Sequence, residues 1–152
     1  MSVELQGSLF TDAEASFGQL GSSVTRRMLS RGAWVDVRPG WASQVDLFDR
    51  LVDGVDWRAE RRQMYDRVVD VPRLVRFYSS GERWPDPALV DAKSALDAHY
   101  RGELGEEFAT AGLCYYRDGS DSVAWHGDNI GRSSTEDTMV AIVGLGAARV
   151  FA

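Results

Sequence analysis

The stretch Cys114-Tyr115-Tyr116-Arg117-Asp118-Gly119-Ser120-Asp121-Ser122-Val123-Ala124-Trp125-His126-Gly127-Asp128 constrains this chain more than any other. It reads as two short strands rich in β-branched and aromatic residues, joined at Asp118-Gly119, a dipeptide that favours a hairpin turn. Side chains of a strand alternate between faces, so the His126 imidazole and the Asp128 carboxylate are expected on one face, about 7 Å apart along the backbone. Two donors at that spacing can hold one metal ion.

An imidazole and a carboxylate are two of the three ligands in the facial triad of non-haem Fe(II) oxygenases, which leaves positions open for a co-substrate and O₂. A second ligating His has no plausible place in the chain, because His99, the only other histidine, sits in a helical pattern ahead of the hairpin. His-x-Asp by itself is a weak motif that an ordinary surface strand also carries.

The whole run Tyr-Arg-Asp-Gly-x-Asp-Ser-x-x-Trp-His-x-Asp, from Tyr116 to Asp128, resembles the AlkB family of 2-oxoglutarate and Fe(II)-dependent dioxygenases. The resemblance extends from about Trp57 to the end of the chain. It implies an α+β fold with a double-stranded β-helix (jelly-roll) core and N-terminal helices. It also implies Fe(II) held by His126 and Asp128, and 2-oxoglutarate touched by the Tyr116 hydroxyl. The implied reaction is oxidative dealkylation of N-alkylated DNA or RNA bases, with succinate, CO₂ and formaldehyde released.

A second informative stretch runs from Trp57 to Arg83. It carries seven arginines against Glu60, Asp66, Asp70 and Glu82, a local excess of three positive charges in a chain whose net charge is -6. Such an acidic protein does not bind nucleic acid by bulk charge, so contacts to phosphate have to be local. Sixteen of the seventeen basic residues are Arg, the side chain that meets phosphate through a planar fork; genomic codon bias is an equal explanation. Arg73, Arg76 and Arg62 are candidates for phosphate contact, and Tyr65, Phe77 or Tyr78 for stacking on a base taken out of its helix. In the AlkB family the matching segment, a Tyr followed by Pro-Arg and an aromatic-Tyr, looks like a lid over the active site, here spanning residues 57–83. The plainer alternative is a β-hairpin with core-facing aromatics and solvated arginines.

The chain is long and apolar enough for one domain with a core. A lone Cys114 excludes an internal disulfide and suits a reducing compartment. The N-terminus has no signal-peptide pattern and no run reaches the length of a membrane span, so a cytoplasmic monomer that does not engage a membrane is expected. Residues 1–32, without sustained apolar period, read as an extended arm that lies over the domain. A short strand is expected over Ala33–Val37, and a helix from Ser43 to Gly54 with Val45, Phe48, Leu51, Val52 and Val55 inward. A loop over 79–87 then leads into a helix over Pro87–Tyr100. His99 reads as structural. Thr138–Gly144 and Ala147–Ala152 read as two buried strands.

Three positions depart from the AlkB pattern. Cys114 stands where many relatives have an Asn that touches the co-substrate, and it reads more simply as a small buried thiol. Ile130 stands where several relatives have an acidic residue that reads the methylated base. The distal iron-binding His and the Arg that pairs with 2-oxoglutarate have no counterpart after Asp128, so the chain is expected to be the N-terminal portion of a longer domain and inactive alone. Two other readings stay open: an oxygenase of the same chemistry acting on a protein, lipid or small molecule, and a non-catalytic binding module.

Overall fold

The computed structural model describes residues 17–43, 46–126 and 137–150. They form a mixed α/β structure in two antiparallel sheets and two helices: β1 (Thr25–Met28), β2 (Trp34–Val37), α1 (Leu47–Gly54), β3 (Arg58–Met64), β4 (Arg67–Tyr78), α2 (Pro87–Leu104) and β5 (Ala111–Tyr115). Strands β1 and β2 pair with each other, β3–β4–β5 make a three-stranded sheet, and among the described residues neither sheet closes into a barrel. No helix there is long and apolar enough to cross a membrane.

Within its described part the N-terminal arm includes a strand that the sequence did not suggest. Phe17 and Leu20 are buried, and residues 25–28 form β1, with Thr25 opposite Val37 and Met28 opposite Trp34. Thr-Arg-Arg-Met has no apolar alternation because charge, more than burial, fastens it. The Arg26 guanidinium binds Asp36 at 2.8 and 2.9 Å and Glu103 of α2 at 2.6 and 2.8 Å, and lies 3.7 Å from the Trp34 ring centre. Tyr100 of α2 donates to the same Asp36 at 3.0 Å.

Both helices start for local reasons. Helix α1 begins at Leu47, later than the sequence suggests, with Asp46 at its N-cap position paired to Arg50 at 2.5 Å; Val45, expected on the apolar face, lies outside the described residues. Its buried stripe is Leu47, Leu51 and Val55, with Leu47 fully enclosed. For α2, the Asp86 side chain accepts from the Ala88 amide at 2.9 Å, with Pro87 in the first turn, where its missing N–H is harmless. Arg50 reaches the same carboxylate at 2.8 Å and ties the helices together. Helix α2 runs one turn past Tyr100 and ends at Gly105, whose φ of 71° a residue with a side chain rarely adopts.

The core is Phe17, Leu47, Leu51, Val55, Ala88 and Ala92, joined by the half-buried Trp57, Leu113, Val143 and Leu145. The two strands expected beyond residue 138 are corrected: residues 137–150 make no ladder, although half-buried and exposed positions alternate from Met139 to Leu145. Gly146, at φ 81°, lies so close under the Phe48 ring that a Cβ there would approach it to 3.0 Å.

Candidate functional site

In the central sheet Leu74 stands opposite Tyr115, Val75 opposite Cys114, Phe77 opposite Gly112 and Tyr78 opposite Ala111. Directly opposed residues share a face. Leu113 and Tyr115 mark the inner face, Leu113 against the core and Tyr115 against Phe48 and Trp57 with ring centres 6.1 and 5.4 Å away. Val75, Phe77 and Cys114 therefore lie on the other face, and Cys114 is exposed there rather than buried.

Arg73 and Tyr116 continue that outer face one step beyond the ladder. Arg73 Nη1 donates to the Tyr116 hydroxyl at 3.1 Å, across 43 residues of sequence. Pro72 explains the aim of Arg73. A proline has no amide for a ladder, and the pairing of β3 with β4 slips between Ala59 and Arg61, a bulge that takes up residues 71–73. Arg73 Nε is buried with no hydrogen-bond partner, a deficit of about 1–3 kcal/mol for an unmet donor.

Two further residues join this cluster. The Arg149 guanidinium lies 4.1 Å from the Tyr116 ring centre and donates to the Asp121 carbonyl at 2.7 Å. The Asp121 carboxylate is buried and accepts the Arg117 amide at 2.9 Å and the Arg117 guanidinium twice at 2.8 Å. Bonds from the Arg117 side chain and then its amide hold the Asp121 carboxyl at about 2, against an ordinary 3.8. The Asp118-Gly119 turn is present, with Asp118 accepting the Ser120 amide at 2.8 Å. The second arm of the expected hairpin is corrected. Asp121 folds back on Arg117 where a ladder would begin, and Ser122 donates instead to the Pro72 carbonyl of β4 at 2.8 Å.

His126 lies beyond this clasp, exposed, with Nδ1 2.8 Å from the Ala124 carbonyl. That bond requires the hydrogen on Nδ1, so the neutral ring carries its lone pair on Nε2, as in metal-ligating histidines whose other nitrogen donates to a carbonyl. Asp128 and Ile130 lie outside the described residues. Among the described ones no three His, Cys, Asp or Glu side chains converge as a metal site.

The lid region is a β-hairpin turning at Tyr65-Asp66. Tyr65 is 96 % exposed and has a φ of 56°, a conformation unfavourable for a bulky side chain. Arg62 is exposed beside it, 3.8 Å from Glu60. Tyr78 is 5 % exposed beneath Arg76, whose guanidinium lies 4.4 Å from the ring centre. Arg76 also binds Glu82 at 2.6 Å. Tyr78 is thus enclosed in the sheet, and Arg76 is paired with a carboxylate. Arg73 and Tyr65 are brought to the Tyr116 cluster and to the hairpin tip, respectively. Arg149 and Asp121 escaped the sequence as site residues. The one signal for Arg149 was a charge set in an otherwise apolar run, Ala147–Ala152.

No family model, curated protein or solved structure matches the chain.

Proposed function

We propose that the chain carries part of the active site of an Fe(II) and 2-oxoglutarate-dependent oxygenase that removes alkyl groups from nucleic-acid bases. The observation that supports it most is the hydrogen bond between Arg73 and Tyr116. These two residues lie in separate motifs, assigned by resemblance to the substrate lid and to the co-substrate, and they meet on the outer face of one sheet. In this reading β3–β4–β5 contributes to one wall of a jelly roll.

His126, through Nε2, and Asp128 would hold the iron. Held there, the metal would supply, with O₂ and with 2-oxoglutarate going to succinate and CO₂, the oxidising power for hydroxylating an N-alkyl carbon that would then leave as formaldehyde. The chain supplies position. The Ala124 carbonyl fixes the tautomer of His126, and the Asp121–Arg117 clasp anchors the segment that leads to it. Tyr116 orients the co-substrate through its hydroxyl. At the hairpin tip Tyr65 offers a solvent-facing ring to a base, and Arg62 a charge to the backbone.

The test is to supply Fe(II), 2-oxoglutarate, O₂ and N-methylated single-stranded DNA, and to assay formaldehyde and succinate in parallel. Where the distal His and the 2-oxoglutarate Arg are supplied, formaldehyde release abolished by His126→Ala is expected; for this chain alone, expected to be inactive, the readout is iron binding lost in His126→Ala. Retention of iron binding by both His126→Ala and Asp128→Ala would sink the reading. Ile130, which cannot accept a hydrogen bond from a base, favours a second reading with the same chemistry on another substrate. Succinate formation with peptides but not with nucleic acid would select it.

A further inference from the structure

An open groove of about 670 Å³ lies between the loop that joins β4 to α2, the first turns of α2 and residues 107–109. Its apolar lining is Trp84, Pro85, Pro87, Val90 and Phe108. Trp84 is half-buried, and among the described residues its ring meets no other aromatic and its indole N–H no acceptor. Trp41 and Trp57, by contrast, donate theirs to backbone carbonyls at 2.7 and 3.2 Å. Phe108 is set in place by the fold: its ring meets Tyr100 edge-on at 6.4 Å and its amide donates to Asp97 at 2.8 Å. The charges around this lining differ in their freedom. Glu82 is held by Arg76 and by the Ser79 amide, Glu107 by Arg101 at 2.5 Å, and Lys93 by Asp97 at 2.5 Å. Arg83, exposed at the end of the arginine-rich run, has no counter-ion among the described residues.

We infer that this groove binds a proline-rich peptide segment that carries an acidic residue. Its volume lies within the range of ligand sites, about 300–1,000 Å³. None of its walls is a strand, so it has no ladder edge to offer a peptide whose backbone amides need partners. A polyproline segment removes that need, because proline has no N–H and the polyproline II helix makes no internal hydrogen bonds. Only its carbonyls seek donors, and the Trp84 indole supplies one. The faces of Trp84 and Phe108 suit pyrrolidine rings, the way aromatic-lined grooves take such segments, and the ligand arrives already ordered. Arg83, the one uncompensated charge of the groove, selects an acid beside the prolines. No residue of the proposed iron site takes part, so this inference stands or falls independently of it.

The experiment is fluorescence anisotropy of a labelled polyproline peptide with a glutamate at each end, titrated with the full chain. The comparators are the same peptide with lysines in place of the glutamates and a glycine-serine peptide of equal length and charge. Saturable binding of the first is expected, about tenfold tighter than either comparator. Trp84→Phe, which keeps an aromatic face and removes the donor, should weaken it about threefold. Arg83→Gln should abolish the preference for glutamate over lysine. Absence of saturable binding by the proline-glutamate peptide overturns the inference, as does equal binding of the glycine-serine peptide, which would mean charge alone. Unchanged affinity in both Trp84→Phe and Arg83→Gln, with unchanged circular dichroism, would place the peptide elsewhere and overturn it too. Should Trp84→Phe not fold, Arg83→Gln and Val90→Glu decide, since both positions are exposed and Val90→Glu sets a repelling charge in the groove.

Discussion

Asp121 shows how one side chain sets the path of the segment that leads to the candidate ligand. Its carboxylate holds both the amide and the guanidinium of Arg117, while its carbonyl holds Arg149. The folded-state value of about 2 lies below the ordinary 3.8, so the contribution is complete above about pH 4 and is lost as pH falls through about 2. Asp121→Asn should flatten the acid limb of the unfolding curve between those values, measured by far-ultraviolet circular dichroism. An unaltered acid limb would show that the clasp contributes nothing to folding. Tyr65 poses the opposite case, a large ring in an unfavourable backbone conformation with almost no burial to offset it. Positive φ costs a non-glycine residue about 1–2 kcal/mol, partly offset by the greater freedom of an unfolded glycine. Tyr65→Gly should therefore leave stability unchanged or raise it by up to about 1 kcal/mol in urea. If the ring stacks on a base, the same change should weaken oligonucleotide binding about tenfold, as expected for stacking worth about 1–3 kcal/mol.

Among the elements, the helices carry the core and the central hairpin carries the candidate chemistry. Leu47 is fully enclosed, and Leu47→Ala should lower the unfolding free energy by about 2–5 kcal/mol. The equivalent truncation at exposed Val90 should change it by less than about 0.5 kcal/mol; equal losses would mean that α1 does not anchor the core. The contrast also shows what local pattern can reveal. Pro87 and the apolar period of α2 act within a few residues, so that helix was legible as far as Tyr100, as was β2; a hairpin in the lid was one of two alternatives, but its turn at Tyr65-Asp66 and its exposed aromatics were not read from the sequence. In α1 the expected Leu51 and Val55 are buried, but the first turn encloses Leu47 rather than the expected Phe48, because the two are similarly apolar and only tertiary packing selects between them. Strand β1 was illegible because its partners, Asp36 and Glu103, are distant in sequence. Of the candidate site, the motif residues were legible from their order. The Arg73–Tyr116–Arg149 arrangement was not, since it depends on a bulge at Pro72 and on a segment that makes no ladder.

Across the whole molecule, charge is separated rather than balanced locally: the net charge is -6, yet residues 57–83 carry an excess of three arginines. Several of these are neutralised within the fold, Arg61 by Asp70 at 2.8 Å and Arg76 by Glu82 at 2.6 Å. The exposed Arg62 and Arg67 flank the hairpin tip, close to Tyr65. If this tip meets a single strand, each phosphate contact should contribute about -0.7 to the slope of log affinity against log salt. With two such arginines at the tip the slope should be shallow and carried by these residues. The double variant Arg62→Gln, Arg67→Gln should reduce the slope by about 1.4, read by fluorescence anisotropy over a salt series. The variant Asp70→Asn should act in the other direction, because it frees Arg61 to meet a third phosphate. A slope that neither change alters would place the nucleic-acid contact away from the hairpin, leaving its arginines as solvated charge on a sheet edge, where charge also discourages pairing with another chain.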